Sequence, residues 1–359
     1  MWTSCASGAN TKNSITSCTN LGGDRPPIRF RTTELFMNIR LRTLVVCVFV
    51  ALLSLLSAAI AYVIAAPFSP GDHSLTIKHG GRERSAIVHV PARAAAKQNP
   101  PVILNFHGGG GHGSNEQQYS LTDGLADREN FIAVYPNGTG RLGEKLLTWN
   151  AGSCCAYAAL HQVDDAGFVR ALLAELSSQL PIDRRRVYAT GMSNGGMMAH
   201  RLAAQASDLI AAIAPVAGGM VVPTIRSSRA VPVMHIHSVD DPRALYGGGL
   251  GSPFPMTKSQ VFHPNIDQMM AKWVAHNGCA AESAVADRRA DRYARGHTAT
   301  KYVYSNCRDG AEVVLWKLSG AGHVWPGGKQ KVMERILGPS TDIVDANREL
   351  WNFFTRFSL

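Results

Sequence analysis

The chain has 359 residues, with 36 Lys and Arg against 26 Asp and Glu and a formal charge of +10. The first 66 residues carry six basic side chains against Asp24 and Glu34, a share of +4. The other +6 is spread over the rest of the chain, with no basic run laced with aromatics. That distribution gives no support to a nucleic-acid footprint, and no nucleic-acid partner is expected.

Residues 1–36 are polar, without a sustained period, and read as disordered or as an upstream extension, with Met37 as an alternative start. Residues 37–70 read as an export segment. From Leu44 to Ala66 the chain is uncharged and almost wholly apolar, with Arg29, Arg31, Arg40 and Arg42 ahead of it. A positive flank before an apolar run is the layout of an export signal. One reading is a cleaved signal peptide with Ala59-Ile60-Ala61 as its A-x-A site. The other is an uncleaved anchor, since 23 apolar residues can span a bilayer. Either delivers residues 71–359 outside the cytoplasm, and the second makes the membrane a partner.

From Ser74 onward strand and helix signals alternate. Ser74–Pro91 reads as two strands joined across Gly80-Gly81. Strands follow at Val102–Phe106, Phe131–Tyr135, Arg186–Thr190, Ile210–Pro215, Val233–His237 and Val313–Leu318. Helices are predicted at Leu121–Asn130, Val163–Leu180, Asn194–Ala206, Pro264–Asn277 and Thr341–Phe357. The alternation implies an α/β fold, a mostly parallel sheet covered by helices on both faces. Tyr246–Pro255, rich in Gly and Pro, reads as a surface excursion.

Cys154, Cys155, Cys279 and Cys307 fall in the globular part, an even number in an exported chain, which favours disulfides over zinc. Cys279 with Cys307 is the preferred pair; Cys154 and Cys155 could bond to each other or stay free.

Gly191-Met192-Ser193-Asn194-Gly195 is a G-x-S-x-G pattern with a strand before it and a helix after it, the context a nucleophile elbow needs. A serine hydroxyl requires a base, and the base a carboxylate to orient it. The strand at Val233 runs into Asp240-Asp241-Pro242, and the strand at Val313 into a small-residue turn holding His323. Ser, Asp and His are therefore expected beyond the carboxyl ends of parallel strands, where such sheets place their sites. His235 and His237 read as packed residues of a strand, and His107 as a residue shaping the loop after it. That loop, His107–Asn115, matches G-x-G-x-x-G, yet the next strand ends in Tyr135-Pro136-Asn137 rather than in the acid a dinucleotide needs, and G-K-[ST] is missing. The anion expected here is an oxyanion, held by the N–H groups of Gly109 and Asn194.

The stretches "NFHGGGG", "TWNAGSCC", "VDDAGFVRALL", "RVYATGMSNGGMMAHRLA", "AIAPVAGG", "NGC" and "GAGHVWPGG" resemble the exported poly(3-hydroxybutyrate) depolymerase and feruloyl esterase group of α/β-hydrolase serine esterases, from Asp72 to Phe357. The resemblance implies a triad of Ser193, Asp241 and His323. Asp241, not Asp240, matches the family's aspartate before proline, although Ser238 stands where glycine is usual. It also offers Trp149 and Trp325 as walls of the pocket, with ordinary core packing the alternative for both, and it places Asp164-Asp165 at a helix start, where a carboxylate can cap. An exported carboxylic ester hydrolase acting through an acyl-enzyme, with no metal or cofactor, is the resulting expectation. A serine peptidase with the same triad, or a non-catalytic membrane-anchored interaction module, are the rival readings.

Overall fold

Short apolar runs without polar alternation belong where both faces of a sheet are covered, and they form its centre here. The computed structural model describes residues 42–54, 68–96, 99–253, 260–291, 296–329 and 333–359. The polar extension, and the second half of the apolar run with its A-x-A site, lie outside the described residues. Residues 42–54 are helical. Among the described residues no helix is long and apolar enough to cross a membrane. That helix belongs to a separate unit from the one beginning at Ala65.

The strands of the larger unit are β1 (Gly71–His79), β2 (Arg82–Val90), β3 (Val102–Phe106), β4 (Ile132–Pro136), β5 (Val187–Met192), β6 (Ala212–Val216), β7 (Val233–Ser238), β8 (Gly249–Leu250), β9 (Phe262–His263), β10 (Ala284–Ala290), β11 (Thr298–Tyr304) and β12 (Val313–Ser319). The main sheet runs β1-β2-β4-β3-β5-β6-β7-β12-β11-β10, and β8 pairs with β9 separately. From β4 to β12 all neighbours are parallel. The hairpins β1–β2 and β10–β11 extend it antiparallel on either side. Gly80 and Gly81 both take positive φ, 57° and 73°, as a two-residue hairpin turn requires.

The principal helices are α1 (Gly113–Ser120), α2 (Thr122–Glu129), α3 (Asp165–Gln179), α4 (Asn194–Gln205), α5 (Ile266–Asn277) and α6 (Ala346–Phe354). Strand side chains alternate between two cores. Val102, Leu104, Val187, Ala189 and Val233 face α3, α4 and α5 through Leu172, Leu176, Leu202 and Trp273. Ile103, Ala133, Tyr188, Met234 and Ile236 face α2 and α6 through Leu125, Leu350 and Phe354. Asn265 and Asp345 cap α5 and α6 by accepting from Gln268 and Arg348 N–H. These caps start both helices later than the apolar pattern suggested.

Two features differ from expectation. The helix predicted from Leu121 is α2, but α1 just before it was not expected; Leu121, with φ 58°, ends α1 and begins α2. The β10–β11 hairpin has no predicted counterpart, since β10 carries Asp287, Arg288 and Arg289 on a half-exposed edge and lacks an apolar period. Cys279 is bonded to Cys307, and Cys154 to Cys155.

Candidate active site

The elbow is made by backbone crowding. Ser193 holds φ 57° and ψ −120°, a region costing a non-glycine residue on the order of 1–3 kcal/mol. A Cβ on Gly191 would meet Phe106 O at 2.5 Å, and one on Gly195 would collide with the same carbonyl. Glycine at both positions lets β5 and α4 close against the end of β3. Ser193 N–H donates to Val216 O at 2.9 Å, tying the elbow to the end of β6.

The loop after β3 passes directly over this serine: a Cβ on Gly108 would stand 3.5 Å from Ser193 Cβ. Its shape is set by His107, which is 1% exposed. His107 Nδ1 donates to Gly108 O at 2.8 Å, and Nε2 accepts from Gly138 N–H at 3.0 Å. Burial lowers its pKa to about 4, so the ring is neutral and its tautomer follows from the two partners. Gly109 N–H and Asn194 N–H have no acceptor among the described residues.

Trp149 and Trp325 present almost no surface to solvent, at 0% and 1% exposure; here they are framework. Trp149 Nε1 donates to His107 O at 3.0 Å, and its backbone is clamped by the Asn194 amide, which accepts from Trp149 N–H at 2.8 Å and donates to Trp149 O at 3.2 Å. Trp325 N–H donates to the Tyr119 hydroxyl at 3.1 Å. Asp164 caps α3 by accepting from Gly167 N–H at 2.9 Å. Asp165 is wholly buried and accepts from Arg84 at 2.7 Å and from Asn150 N–H at 2.8 Å.

On the other side of the site the two adjacent aspartates separate. Asp240 is exposed and accepts from Ser319 Oγ at 3.0 Å and Gly320 N–H at 2.7 Å. Asp241 is 3% exposed. Its Oδ1 accepts from the N–H groups of Arg243 and Ala244, each at 2.8 Å, and its Oδ2 accepts from His323 Nδ1 at 2.7 Å. Burial acts to raise its pKa, but His323 and His237 outweigh that and hold the carboxyl well below the usual carboxylate range.

His323 is 6% exposed. Its Nε2 and the Ser193 hydroxyl make no hydrogen bond among the described residues. The turn bearing His323 packs on the strand end that anchors Ser193: Val216 and Ala217 share a cavity of about 10 Å³ with Ala321, Gly322 and Val324. That is room for one water. His263 lies in the same field, with burial lowering its pKa to about 4 and Nδ1 buried without a partner.

Arg84 and the continuation of hydrogen bonds from Asp241 through His237 had no signal in the sequence beyond the alternation of His235 and His237 on one strand. A serine on a strained elbow under a glycine loop, with a buried Asp–His pair on a turn packed against the same strand end, has the residue types acyl transfer needs.

The family model described as Esterase PHB depolymerase matches residues 84–292, a stretch containing Ser193 and Asp241 and stopping short of His323. Feruloyl esterase B of Piromyces equi is 27% identical over 252 residues, 68% of this chain and 44% of that protein. A bifunctional acetylxylan esterase/xylanase of Neocallimastix patriciarum is 28% identical over 250 residues, 69% of this chain and 32% of that protein. The chain therefore spans less than half the length of either relative. Acetyl xylan esterase from Aspergillus awamori shares the fold, with a TM-score of 0.52 at 15% identity over 79% of this chain and 99% of its own. With more than half of its residues under the family model, the chain belongs to the Esterase PHB depolymerase family.

Proposed function

We propose that the chain is an exported serine esterase that hydrolyses carboxylic esters with Ser193, His323 and Asp241. The observation that carries this reading is the buried Asp241–His323 pair at 2.7 Å, whose turn packs on the strand end holding the strained Ser193 elbow. Ser193 Oγ attacks the ester carbonyl while His323 Nε2 takes its proton. Asp241 holds the ring in the Nδ1–H tautomer and balances the imidazolium. The N–H groups of Gly109 and Asn194 receive the oxyanion, each such donor contributing about 3 kcal/mol to the transition state. His323 then protonates the leaving alcohol, and water releases the acyl group by the same steps.

The names of the relatives favour feruloyl or acetyl esters carried on polysaccharide, and the family model adds hydroxyalkanoate oligomers. The basic flank and apolar run support delivery outside the cytoplasm, with the membrane as partner where the segment is retained.

Ser193→Ala tests the assignment. Turnover of a short p-nitrophenyl ester should fall by on the order of 10⁴–10⁶-fold with the far-ultraviolet dichroism unchanged. A variant retaining most of the rate removes Ser193 as nucleophile. A panel of methyl ferulate, acetylated xylan, hydroxybutyrate oligomers and a peptide amide then ranks the substrates, and preferred amide turnover would make the enzyme a peptidase.

A further inference from the structure

Three histidines, His200 on α4 and His235 and His237 on β7, are 0%, 0% and 2% exposed and bonded in series. The Trp273 indole N–H donates to His200 Nδ1 at 3.2 Å. An indole has a donor and no acceptor, so the proton of His200 must sit on Nε2, which faces His235 Nδ1 at 3.4 Å. His235 in turn carries its proton on Nε2, 3.0 Å from His237 Nδ1. His237 Nε2–H ends on two acceptors, Ala244 O at 2.7 Å and Asp241 Oδ2 at 3.4 Å. The donor-only group at one end and the acceptor-only groups at the other demand the same direction. Reversing the row would set N–H against N–H at the Trp273 end and lone pair against lone pair at Ala244 and Asp241.

We propose that this one-way row of neutral imidazoles positions Asp241: it delivers a fixed N–H to the carboxylate oxygen that also receives His323 Nδ1–H, and it ties the acid to the helix that starts at Ser193. This rests on the triad proposed above, with His200, His235 and His237 as positioning residues. Burial of three polar rings is unfavourable unless each is satisfied, and here only one arrangement of protons satisfies all of them. An apolar core would fill the same space without that constraint. Burial keeps the upstream rings neutral, lowering His200 to about 3 and His235 well below its ordinary value. The other groups facing this corner are His263, Arg243 and His323, together with Tyr246, whose ring stands perpendicular to His237 with centroids 5.7 Å apart while its hydroxyl is turned onto Asp267.

The test uses the full chain. Histidine ¹⁵N spectra at neutral pH should show His200, His235 and His237 all as Nε2–H tautomers, and Ser193→Ala should leave those signals in place. An imidazolium or an Nδ1–H tautomer at His237 overturns the proposal irrespective of activity. For function, His237→Leu removes the donor and His237→Gln keeps an N–H near the same place. His237→Leu should lower kcat about tenfold with KM unchanged and move the acid limb of kcat/KM upward by about half a pH unit, because Asp241 then shares its charge with His323 alone. His237→Gln should restore most of both. An unchanged pH profile in His237→Leu, or equal damage in the two variants, overturns the proposal. Retained turnover in Ser193→Ala overturns the triad instead, and the tautomer spectra distinguish the two failures.

Discussion

Buried histidine is put to opposite uses on the two sides of the site. On the nucleophile side His107 is neutral, and both of its bonds end on backbone, at Gly108 O and Gly138 N–H. It works as a strut, and Trp149, Asn194, Asn150 and Asp165 continue the bracing inward to Arg84. On the acid side the row from His200 to His237 ends on an ionised carboxylate, and that carboxylate ends on His323. Rigid backbone donors are what an oxyanion needs, while a base needs a charge held at a fixed distance. The same side chain supplies either, depending on whether its last partner is a peptide or a carboxylate.

The largest effect is expected at Asp241. Asp241→Asn leaves a group able to hydrogen-bond but favours the wrong His323 tautomer, and should reduce kcat by about 10⁴-fold. Asp240→Asn should leave kcat near that of the wild type and cost only the turn contacts at Ser319 and Gly320. Equal losses in steady-state kinetics would mean that the two aspartates are wrongly distinguished.

On the braced side the expected loss is in stability. Arg84→Met strands Asp165, which is wholly buried. Removing one partner of a buried pair costs about 3–5 kcal/mol, readable as a lower denaturant midpoint. A change under 1 kcal/mol would show that Asp165 is held by Asn150 N–H alone.

An effect confined to alkaline pH is expected at Glu116, on α1 after the glycine loop. Burial raises its pKa to about 8, and its Oε1 has no partner. A carboxyl whose folded pKa is raised binds more protons in the folded than in the unfolded state between the two values. Stability is therefore retained below about pH 4.5 and lost as the pH rises towards 8. Glu116→Gln should flatten that alkaline decline by up to about 1.4 kcal/mol per pH unit in melts taken from pH 5 to 9. Parallel profiles for the two proteins would mean that Glu116 is solvated.

The central strands were legible because they are covered on both faces and read as unbroken apolar runs. The β10–β11 hairpin was not, because edge strands with charged faces leave no such run. Helix α1 was missed because Gly113–Ser120 buries only Gly113, Glu116 and Ser120 and carries no apolar stripe. Within the site, Ser193 was legible from strand, turn and helix in sequence order. Asp240 and Asp241 leave the same strand end; only the resemblance, through the proline after Asp241, favoured one, and the fold shows Asp241 to be the covered one. Trp149 and Trp325 look the same in the sequence whether they line a pocket or fill a core. The links from Trp273 through His200 to His235 depend on which helix lies over β7, a property of sheet order that local pattern does not carry.

The most direct measurement is covalent trapping with diethyl p-nitrophenyl phosphate, read by peptide mass spectrometry. One modification per chain is expected, on Ser193, at a rate that collapses in His323→Ala. A label on another residue, or an undiminished rate without the His323 imidazole, would contradict it.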